Sequence, residues 1–259
     1  MTPAPTLFDT HCHLYAEPLV KNIADIIKKA GVNGVGKILV PGVDVESSKA
    51  AIDLAYKFPG IVYAAVGIHP QIPEDGSNPM ELFAEIARMP GVAAIGEIGI
   101  DTEEGADISI QESRFSFQLE IAVKLGLPVL IHCRGGFRFI ADQLKKHAGE
   151  PHGGIFHAWS GSPELAKEIR TLGFFIGISG VVTRPGAVKA RRYISSIPLS
   201  GMVLETDSPY IGTSLKPRGM VEPADIKEIC AAIATLKNVP FDEVAGITTR
   251  NAEALFASG

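Results

Sequence analysis

Two histidines stand one residue apart near the start of the chain, His11 and His13, directly after a short apolar run at residues 6–8. Side chains alternate along an extended chain, so both imidazoles point to one side and Cys12 points to the other. Two such imidazoles can bind one metal ion through their ring nitrogens. The same motif also fits a polar turn with two surface histidines, so its meaning depends on what the fold brings beside it.

The elements that must position these residues follow a regular alternation. Eight short apolar runs, often β-branched and in the later ones bounded by Gly or Pro, are typical of buried parallel strands: residues 6–8, 36–40, 61–66, 92–95, 127–131, 154–156, 174–178 and 202–204. Segments of helical period lie between and after them: residues 19–27, 50–58, 82–89, 115–125, 139–144, 165–172, 188–194, 226–236 and 251–256. This predicts an α/β fold, a (β/α)8 TIM barrel, with a doubly wound open sheet as the alternative.

Length and composition fit that prediction. The chain has 259 residues, 46% of them hydrophobic, and no linker-like stretch, so we expect a single domain over residues 1–259. The net charge of −5 gives no overall basic character for gripping long nucleic acid. Three cysteines and the absence of a signal-like or membrane-spanning run lead us to expect a cytoplasmic protein that does not bind membranes. No assembly segment is evident in the sequence, so we expect a monomer.

The ionisable residues gather where the predicted strands end. Five of the seven histidines and several carboxylates have this position: His11, His13, His69, Glu97, His132, His157, Glu205 and Asp207. In a parallel barrel these ends open on one face, where active sites are built. Imidazoles with carboxylates suit Zn²⁺, Mn²⁺ or a similar divalent ion, and the set exceeds the needs of one tetrahedral ion. Two ions about 3.5–4 Å apart can activate water, so the pattern predicts hydrolysis.

Single positions support narrower interpretations. Glu97 stands near two glycines, which allow a metal to come close, and is interpreted as a ligand. Asp101 either orients a ligand or caps a helix, and Glu205, two residues before Asp207, is expected to orient a histidine or an arginine. Arg134 suits phosphate through bidentate hydrogen bonds. His69 is interpreted as a substrate contact, with a capped loop histidine as the alternative.

Six segments in order carry a family resemblance: Asp9-Thr10-His11-Cys12-His13, Gly67-Ile68-His69-Pro70, Gly96-Glu97-Ile98-Gly99-Ile100-Asp101, His132-Cys133-Arg134, His157-Ala158-Trp159-Ser160-Gly161 and Glu205-Thr206-Asp207-Ser208-Pro209. Together they resemble the TatD family of metal-dependent hydrolases, over almost the whole chain. The resemblance implies a barrel with two divalent ions (Zn, Mg or Mn) and phosphodiester hydrolysis on DNA. Members are described as deoxyribonucleases, several of them 3′-5′ exonucleases on single strands.

The resemblance also implies roles, residue by residue. One ion is held by His11, His13 and Asp207, the other by His132 and His157, and Glu97 bridges the two. Asp207 is implied as the general base for the attacking water, which makes Asp207 and Glu97 the catalytic pair. His69 and Arg134 are implied to touch substrate phosphate.

The chain also departs from the family pattern. Gly135-Gly136 stand where an acidic residue and Ala are common, and Met220-Val221 replace an Arg-Asn pair. The loop at 102–107 is acidic and, at the mouth of the barrel, should repel a long polyanion. It therefore keeps a second hypothesis open, a hydrolase of small amides, esters or lactones. A metal-binding scaffold without catalysis is a third hypothesis, which the complete ligand set disfavours.

Two aromatic residues close to the candidate ligands have two interpretations. Trp159 and Tyr210 either stack on nucleic-acid bases or pack the rim of the barrel.

Overall fold

The structure is a computed structural model that describes residues 6–73, 79–147 and 153–256. Its strands are β1 Leu7–Asp9, β2 Val35–Pro41, β3 Val62–Val66, β4 Val92–Asp101, β5 Val129–Arg134, β6 Gly154–Phe156, β7 Phe174–Ile178 and β8 Met202–Leu204. Its α-helices are α1 Ile23–Val32, α2 Val45–Lys57, α3 Pro79–Ile86, α4 Ile108–Leu125, α5 Phe137–Lys146, α6 Pro163–Thr171, α7 Val188–Ser196, α8 Ile226–Lys237 and α9 Phe241–Phe256. All eight predicted strands are present.

The strands form one sheet in sequence order, from β1 to β8. The pairs β1–β2, β3–β4, β4–β5, β5–β6 and β7–β8 are parallel. Just beyond β8, the main chain returns to the first strand: Thr10 N donates to Leu204 O, and Cys12 forms a parallel bridge with Ser208. The predicted (β/α)8 barrel is therefore confirmed, and the open-sheet alternative is wrong because the last strand meets the first.

Strand β4 is longer than its apolar run predicts, because it continues through Asp101. Glu97 and Asp101 thus lie within β4 rather than after it, and Arg134 lies at the end of β5. The extension pairs Gly99 with His132 and Asp101 with Arg134. A Cβ atom at Gly99 would overlap the main-chain oxygen of His132, so glycine permits this close approach.

The helices differ from prediction mainly at their ends. The segment predicted at 19–27 divides into a 3₁₀ turn, Leu19–Asn22, and helix α1. Helix α9 begins at Phe241, ten residues before the predicted start at 251. Pro240 precedes it, and Asp242 and Glu243 in its first turn complement the positive end of the helix dipole.

The described residues fall into two compact units. The first comprises residues 6–40, 158–170 and 175–254, and its buried core includes Leu39, Ile176, Val203, Ile229 and Ile233. The second comprises the described parts of 41–157, with 171–174 and 255–256, and its buried core includes Ile95, Phe115, Leu130, Ile131 and Phe156. The single-domain interpretation stays a prediction.

Within the described ranges, no helix combines the length and apolar character that crossing a bilayer requires.

Candidate metal centre

A first cluster, in the first unit, consists of His11, His13 and Asp207. The Nε2 atoms of the two histidines are 3.1 Å apart. Asp207 Oδ1 lies 3.4 Å from His13 Nε2 and 3.9 Å from His11 Nε2. All three residues are buried. Two imidazoles and one carboxylate therefore present their donor atoms to one small volume, as ligands of a single divalent ion do.

Main-chain hydrogen bonds hold this cluster in place although its members are almost two hundred residues apart in sequence. Asp207 N donates to His11 O at 2.8 Å, and His13 N donates to Ser208 O at 2.8 Å. Asp207 has a φ of 50°, in the left-handed region that a residue other than glycine rarely adopts. Such backbone strain persists only where the surroundings fix it, and it concentrates at functional sites.

Asp9, at the end of β1, forms a second tie to the segment after β8. Its carboxylate accepts hydrogen bonds from Thr206 N at 2.9 Å and from Thr206 Oγ1 at 2.6 Å. Burial raises the pKa of Asp9 to about 8, although the hydrogen bonds from Thr206 act in the opposite direction. Asp9 thereby fixes the residue next to Asp207, a positioning role that the sequence interpretation did not assign.

Tyr15 is a further residue that the sequence interpretation missed. Its hydroxyl oxygen lies 2.8 Å from His13 Nδ1, and its ring packs edge-on against the imidazole with centroids 5.7 Å apart. When His13 Nδ1 carries the proton and donates to this hydroxyl, the lone pair of Nε2 faces His11 and Asp207. Tyr15 continues the alternation of His11 and His13, so the signal was present in the sequence.

A second cluster, in the second unit, centres on Glu97. Its Oε1 atom lies 3.1 Å from His132 Nδ1, 3.2 Å from His69 Nε2 and 3.8 Å from His157 Nε2. Glu97, His69 and His157 are buried, and His132 is partly exposed. Glu97, His69 and His132 offer donor atoms that lie within 4.8 Å of one another, close enough for one ion.

His132 lies between two carboxylates. Its Nε2 atom is 3.0 Å from Asp101 Oδ2, on the other side of the ring from Glu97. If Nε2–H donates to Asp101, Nδ1 is free to bind a cation beside Glu97, an arrangement in which a carboxylate orients a metal-binding histidine. Burial favours a higher pKa for Asp101, but hydrogen bonds, including those from Glu103 N, Gln71 and His132, outweigh it and lower the pKa.

The helix-cap alternative for Asp101 is wrong. Asp101 lies in β4, and the residue at the N-cap position of α4 is Asp107. Asp101 Oδ1 instead accepts hydrogen bonds from Glu103 N and Glu104 N, which turn the chain out of the strand.

His69 faces the same carboxylate as His132, but the position of its ring proton is fixed by a main-chain hydrogen bond. Its Nδ1 accepts a hydrogen bond from Gln71 N at 3.1 Å, so in the neutral ring the proton lies on Nε2. That Nε2–H points at Glu97 Oε1. As a donor, it can bind a carboxylate or a phosphate oxygen, whereas a metal ligand would need the lone pair at this atom.

Arg134 is engaged by the acidic loop. Its guanidinium forms ion pairs with Glu103 and, at 3.5 Å, with Glu104. Gln71 joins this loop to the second cluster, since its amide donates both to Asp101 Oδ2 and to Glu104 Oε2. The loop carboxylates are thus directed at the residue that was predicted to hold phosphate, and Gln71 is another contact that sequence reasoning missed.

Glu205 is fully buried after β8, and its Oε1 accepts a hydrogen bond from Ala158 N at 2.6 Å. Ala158, the residue after His157, has a φ of 42°. A Cβ atom at Gly177 would overlap the Glu205 carboxylate, so glycine makes room for it. The structure therefore places Glu205 against the main chain next to a candidate ligand, and its role as an orienting residue stays a prediction.

The glycines that depart from the family pattern have a structural reason. Gly135 and Gly136 have φ values of 76° and 60°, in the left-handed region. Cβ atoms there would overlap the side chains of Thr102 and Ile100. Side chains at these two positions would be strained and would collide with the end of β4 and the residue after it. At the other departure, Val221 is fully buried and Met220 is exposed.

The two aromatic residues take different environments. Trp159 is buried, and its main-chain oxygen accepts a hydrogen bond from the Tyr193 hydroxyl. Tyr210 is 43% exposed, its ring lies 5.0 Å from that of His13, and the Arg218 guanidinium lies over it. Trp159 therefore packs within the protein, while Tyr210 retains an exposed aromatic surface that could stack on a base.

These donor sets fit divalent metal ions. Buried carboxylates are costly unless a cation or hydrogen bonds compensate them, and here they face imidazole nitrogens at 3.1–3.9 Å. Imidazole and carboxylate donors suit Zn²⁺, Mn²⁺ and related ions, while Mg²⁺ favours the carboxylates. Such histidine and carboxylate clusters at the strands of a (β/α)8 barrel define a metal-dependent hydrolase.

Comparison with known proteins defines the family. The family described as TatD related DNase matches residues 8–257, and the chain belongs to it. It is similar to the uncharacterized metal-dependent hydrolase YabD of Bacillus subtilis, at 33% identity over 96% of this chain and 98% of the relative. The 3′-5′ ssDNA/RNA exonuclease TatD of Klebsiella pneumoniae is 32% identical over 96% of this chain and 97% of its own. The crystal structure of the TatD homologue YjjV from Escherichia coli matches with a TM-score of 0.89 and 32% identity, over 97% of this chain and 98% of that one.

Proposed function

We propose that this metal-dependent hydrolase is a deoxyribonuclease that removes nucleotides from the 3′ end of single-stranded DNA, with two divalent ions. The family and the similarity to a relative named as a 3′-5′ exonuclease support this proposal. In it, the first cluster holds one ion through His11, His13 and Asp207. The second ion is held by His132 and His157 with Glu97, whose bridging role stays a prediction from the resemblance.

The observation that carries the proposal is the position of Asp207. Its carboxylate lies against the Nε2 atoms of His11 and His13. The main chain around it is held by hydrogen bonds from Thr206 N to Asp9 Oδ1, from Asp207 N to His11 O and from His13 N to Ser208 O. A carboxylate so placed can both bind a cation and accept a proton from a water held beside it. Divalent ions, when bound, lower the pKa of water and stabilise negative charge on phosphoryl oxygens.

The reaction is then a balanced hydrolysis. Water oxygen forms a bond to phosphorus, and Asp207 accepts the proton that the water releases. The bond from phosphorus to the 3′ oxygen breaks, and this oxygen takes a proton from solvent. The products are a strand with a 3′ hydroxyl group and a nucleotide with a 5′ phosphate.

Two residues are proposed to bind the substrate phosphate. His69 presents Nε2–H, which points at Glu97 Oε1. A phosphate oxygen on that side of the ring can accept a hydrogen bond from this N–H. Arg134 can exchange Glu103 and Glu104 for a phosphate, since its side chain is 47% exposed and the existing ion pairs are weak.

One observation favours the second candidate, a hydrolase of small amides, esters or lactones. Glu103 and Glu104 occupy Arg134 and place negative charge beside it. A small neutral substrate would not need to displace them, whereas a polyanion must. The salt dependence of binding separates the two candidates, because only the nucleic acid releases counterions.

The test is hydrolysis of single-stranded DNA labelled at its 5′ end, with Mg²⁺, Mn²⁺ or Zn²⁺ and with chelator. We expect a ladder that shortens from the 3′ end and disappears with chelator. Asp207→Asn should lower kcat at least a hundredfold, since general bases contribute about 10²–10⁴. Asp53→Asn, an exposed carboxylate on α2, is the matched control and should keep wild-type activity.

Each contrary result has a definite meaning. Unchanged turnover in Asp207→Asn would remove Asp207 from the mechanism. Absence of cleavage by metal-loaded protein, together with turnover of lactone or ester substrates, would replace the nuclease proposal with the second candidate.

A further inference from the structure

A groove lies between the loop after β6 and helix α7, within the first unit. It has a volume of about 660 Å³ and is lined by Ser160, Gly161, Ser162, Pro163, Glu164, Lys189, Ala190, Arg192 and Tyr193. We name it the α6–α7 groove. Its volume falls within the range of pockets that accept a drug-sized ligand, the size of one nucleotide.

One wall of this groove carries positive charge. Lys189, Arg191 and Arg192 lie within four positions of α7, a helix that contains no acidic residue. In the described ranges, no carboxylate forms an ion pair with any of these three side chains. In contrast, Arg134 and Lys216 are paired with carboxylates. Among the described residues of a protein of net charge −5, three neighbouring cations on one helix thus form no ion pair with a carboxylate, and two of them, Lys189 and Arg192, line the groove.

A carboxylate also reaches the groove, but it is partly engaged. Glu164 lies at the start of α6, and a hydrogen bond from the Ser162 hydroxyl lowers the pKa of Glu164. Lys189 and Arg192 line the same groove, so the charge facing its interior is positive on balance.

The positive surface continues beyond the groove. A second depression of about 370 Å³ shares Pro163 and Glu164 with the first and adds Lys167 and Arg170 from α6. The two depressions therefore adjoin at Pro163 and Glu164. Several cations in adjoining depressions fit the repeated phosphates of an extended single strand better than they fit one isolated anion.

The groove also begins close, in sequence, to the candidate metal ligands. Ser160 follows His157 by three residues, and the Tyr193 hydroxyl ties α7 to the intervening loop through Trp159 O. Residues that follow His157 in sequence thus form one wall of the groove, and Lys189 and Arg192 of α7 form the other.

We propose that the α6–α7 groove binds phosphates of single-stranded nucleic acid on the part of the strand that is not being cleaved. This inference rests on the proposed nuclease function. Lys189 and Arg192 donate to phosphate oxygens, and Lys167 and Arg170 extend the contact to the next nucleotides. Strands too short to reach the groove should be cleaved without this help.

The test is the double variant K189Q/R192Q on a series of oligothymidylates from two to twenty nucleotides. For the twenty-mer we expect KM to rise about tenfold, and the slope of log KM against log salt to become shallower by about 1.4, or 0.7 for each lost phosphate contact. For the dinucleotide we expect the wild-type KM and kcat. The variant K28Q/K49Q, which removes two exposed lysines from other helices, should behave as wild type on both.

Several results would overturn the proposal. One is wild-type behaviour of K189Q/R192Q on strands of every length. Another is an equal loss of activity on the dinucleotide and the twenty-mer, which would indicate a general structural effect. If the wild-type protein cleaves no strand with any metal, the nuclease function fails. Fluorescence anisotropy of a labelled twenty-mer then still tests the groove: binding that K189Q/R192Q weakens supports it, and no binding, or binding only to anionic lipid vesicles, refutes it.

Discussion

The hydroxyl of Tyr15 gives the most direct test of the first cluster, because it acts on metal binding and needs no substrate. It lies 2.8 Å from His13 Nδ1, while His13 Nε2 faces His11 and Asp207. When His13 Nδ1–H donates to this hydroxyl, the Nε2 lone pair points into the cluster, and the hydrogen bond stabilises that tautomer. Tyr15→Phe removes the hydroxyl but keeps the ring, which packs edge-on against the imidazole.

The size of the effect follows from one partly buried hydrogen bond. Such a bond contributes about 0.5–1.5 kcal/mol net, and 1.4 kcal/mol corresponds to a tenfold change in an equilibrium constant. Substituting residues that orient metal-binding histidines commonly costs about 10–100-fold in metal affinity. A neutral hydroxyl belongs at the lower end, so we expect Tyr15→Phe to raise the Kd of one ion by about fivefold to tenfold.

The assay is competition for Zn²⁺ against a chromogenic chelator at constant pH, which resolves the affinities of successive ions. Tyr56→Phe is the matched control, since the Tyr56 hydroxyl donates to Pro90 O on an exposed surface. Only one of the two proposed ions should bind more weakly to Tyr15→Phe, and the control should bind both as the wild type does. Wild-type affinity for both ions in Tyr15→Phe would refute the reasoning, and so would equal losses in the two variants.

Three further predictions follow. Glu97→Gln should lower the metal content measured by mass spectrometry from the proposed two ions per chain to one or none, whereas Glu81→Gln on α3 should match the wild type. Two ions retained in Glu97→Gln would contradict the predicted bridge. Replacing Glu103 and Glu104 together by Gln should lower KM for single-stranded DNA about twofold to tenfold, because exposed ion pairs to Arg134 contribute at most about 1 kcal/mol each. An unchanged KM would show that the loop does not compete with phosphate for Arg134. Burial raises the thiol pKa of Cys133 and Cys230 to about 12, so at pH 8 about one of these thiols in 10⁴ is ionised, and burial also raises the pKa of the Cys12 thiol. Alkylation followed by mass spectrometry should therefore label the three cysteines only after unfolding, and labelling of the native protein at pH 8 would contradict this.

The fold could be predicted from the sequence because parallel strands buried on both faces are apolar along their whole length. The runs at 154–156, 174–178 and 202–204 match β6, β7 and β8 residue for residue. The same rule fails where a strand is not apolar. The end of β4 carries Glu97 and Asp101, and polar side chains there ended the predicted strand too early.

Most candidate ligands could be predicted because they follow the ends of strands, as His11, His13, His157 and Asp207 do, whereas their supporting contacts could not. Strand order alone brings His11 and His13 to Asp207, since the last strand of a closed barrel lies beside the first. The contact of Gln71 with Asp101 and Glu104 depends on side-chain torsions in two loops, and no periodicity encodes these. The contact of Tyr15 could be predicted only in part, because alternation places Tyr15 on the same side as His13 but does not show that its hydroxyl reaches Nδ1.

The second cluster shows why residue type alone does not assign a role. His69 and His132 both face Glu97 Oε1, at 3.2 and 3.1 Å, and would be equivalent ligands by type and distance. Their other ring nitrogens differ, because a main-chain N–H donates to Nδ1 of His69 whereas Nε2 of His132 faces a carboxylate that accepts. The first arrangement places a proton between the His69 ring and Glu97. The second leaves a lone pair beside Glu97 when Nε2–H of His132 donates to Asp101. In that tautomer His132 is suited to bind a cation, whereas His69 is suited to donate to a phosphate oxygen.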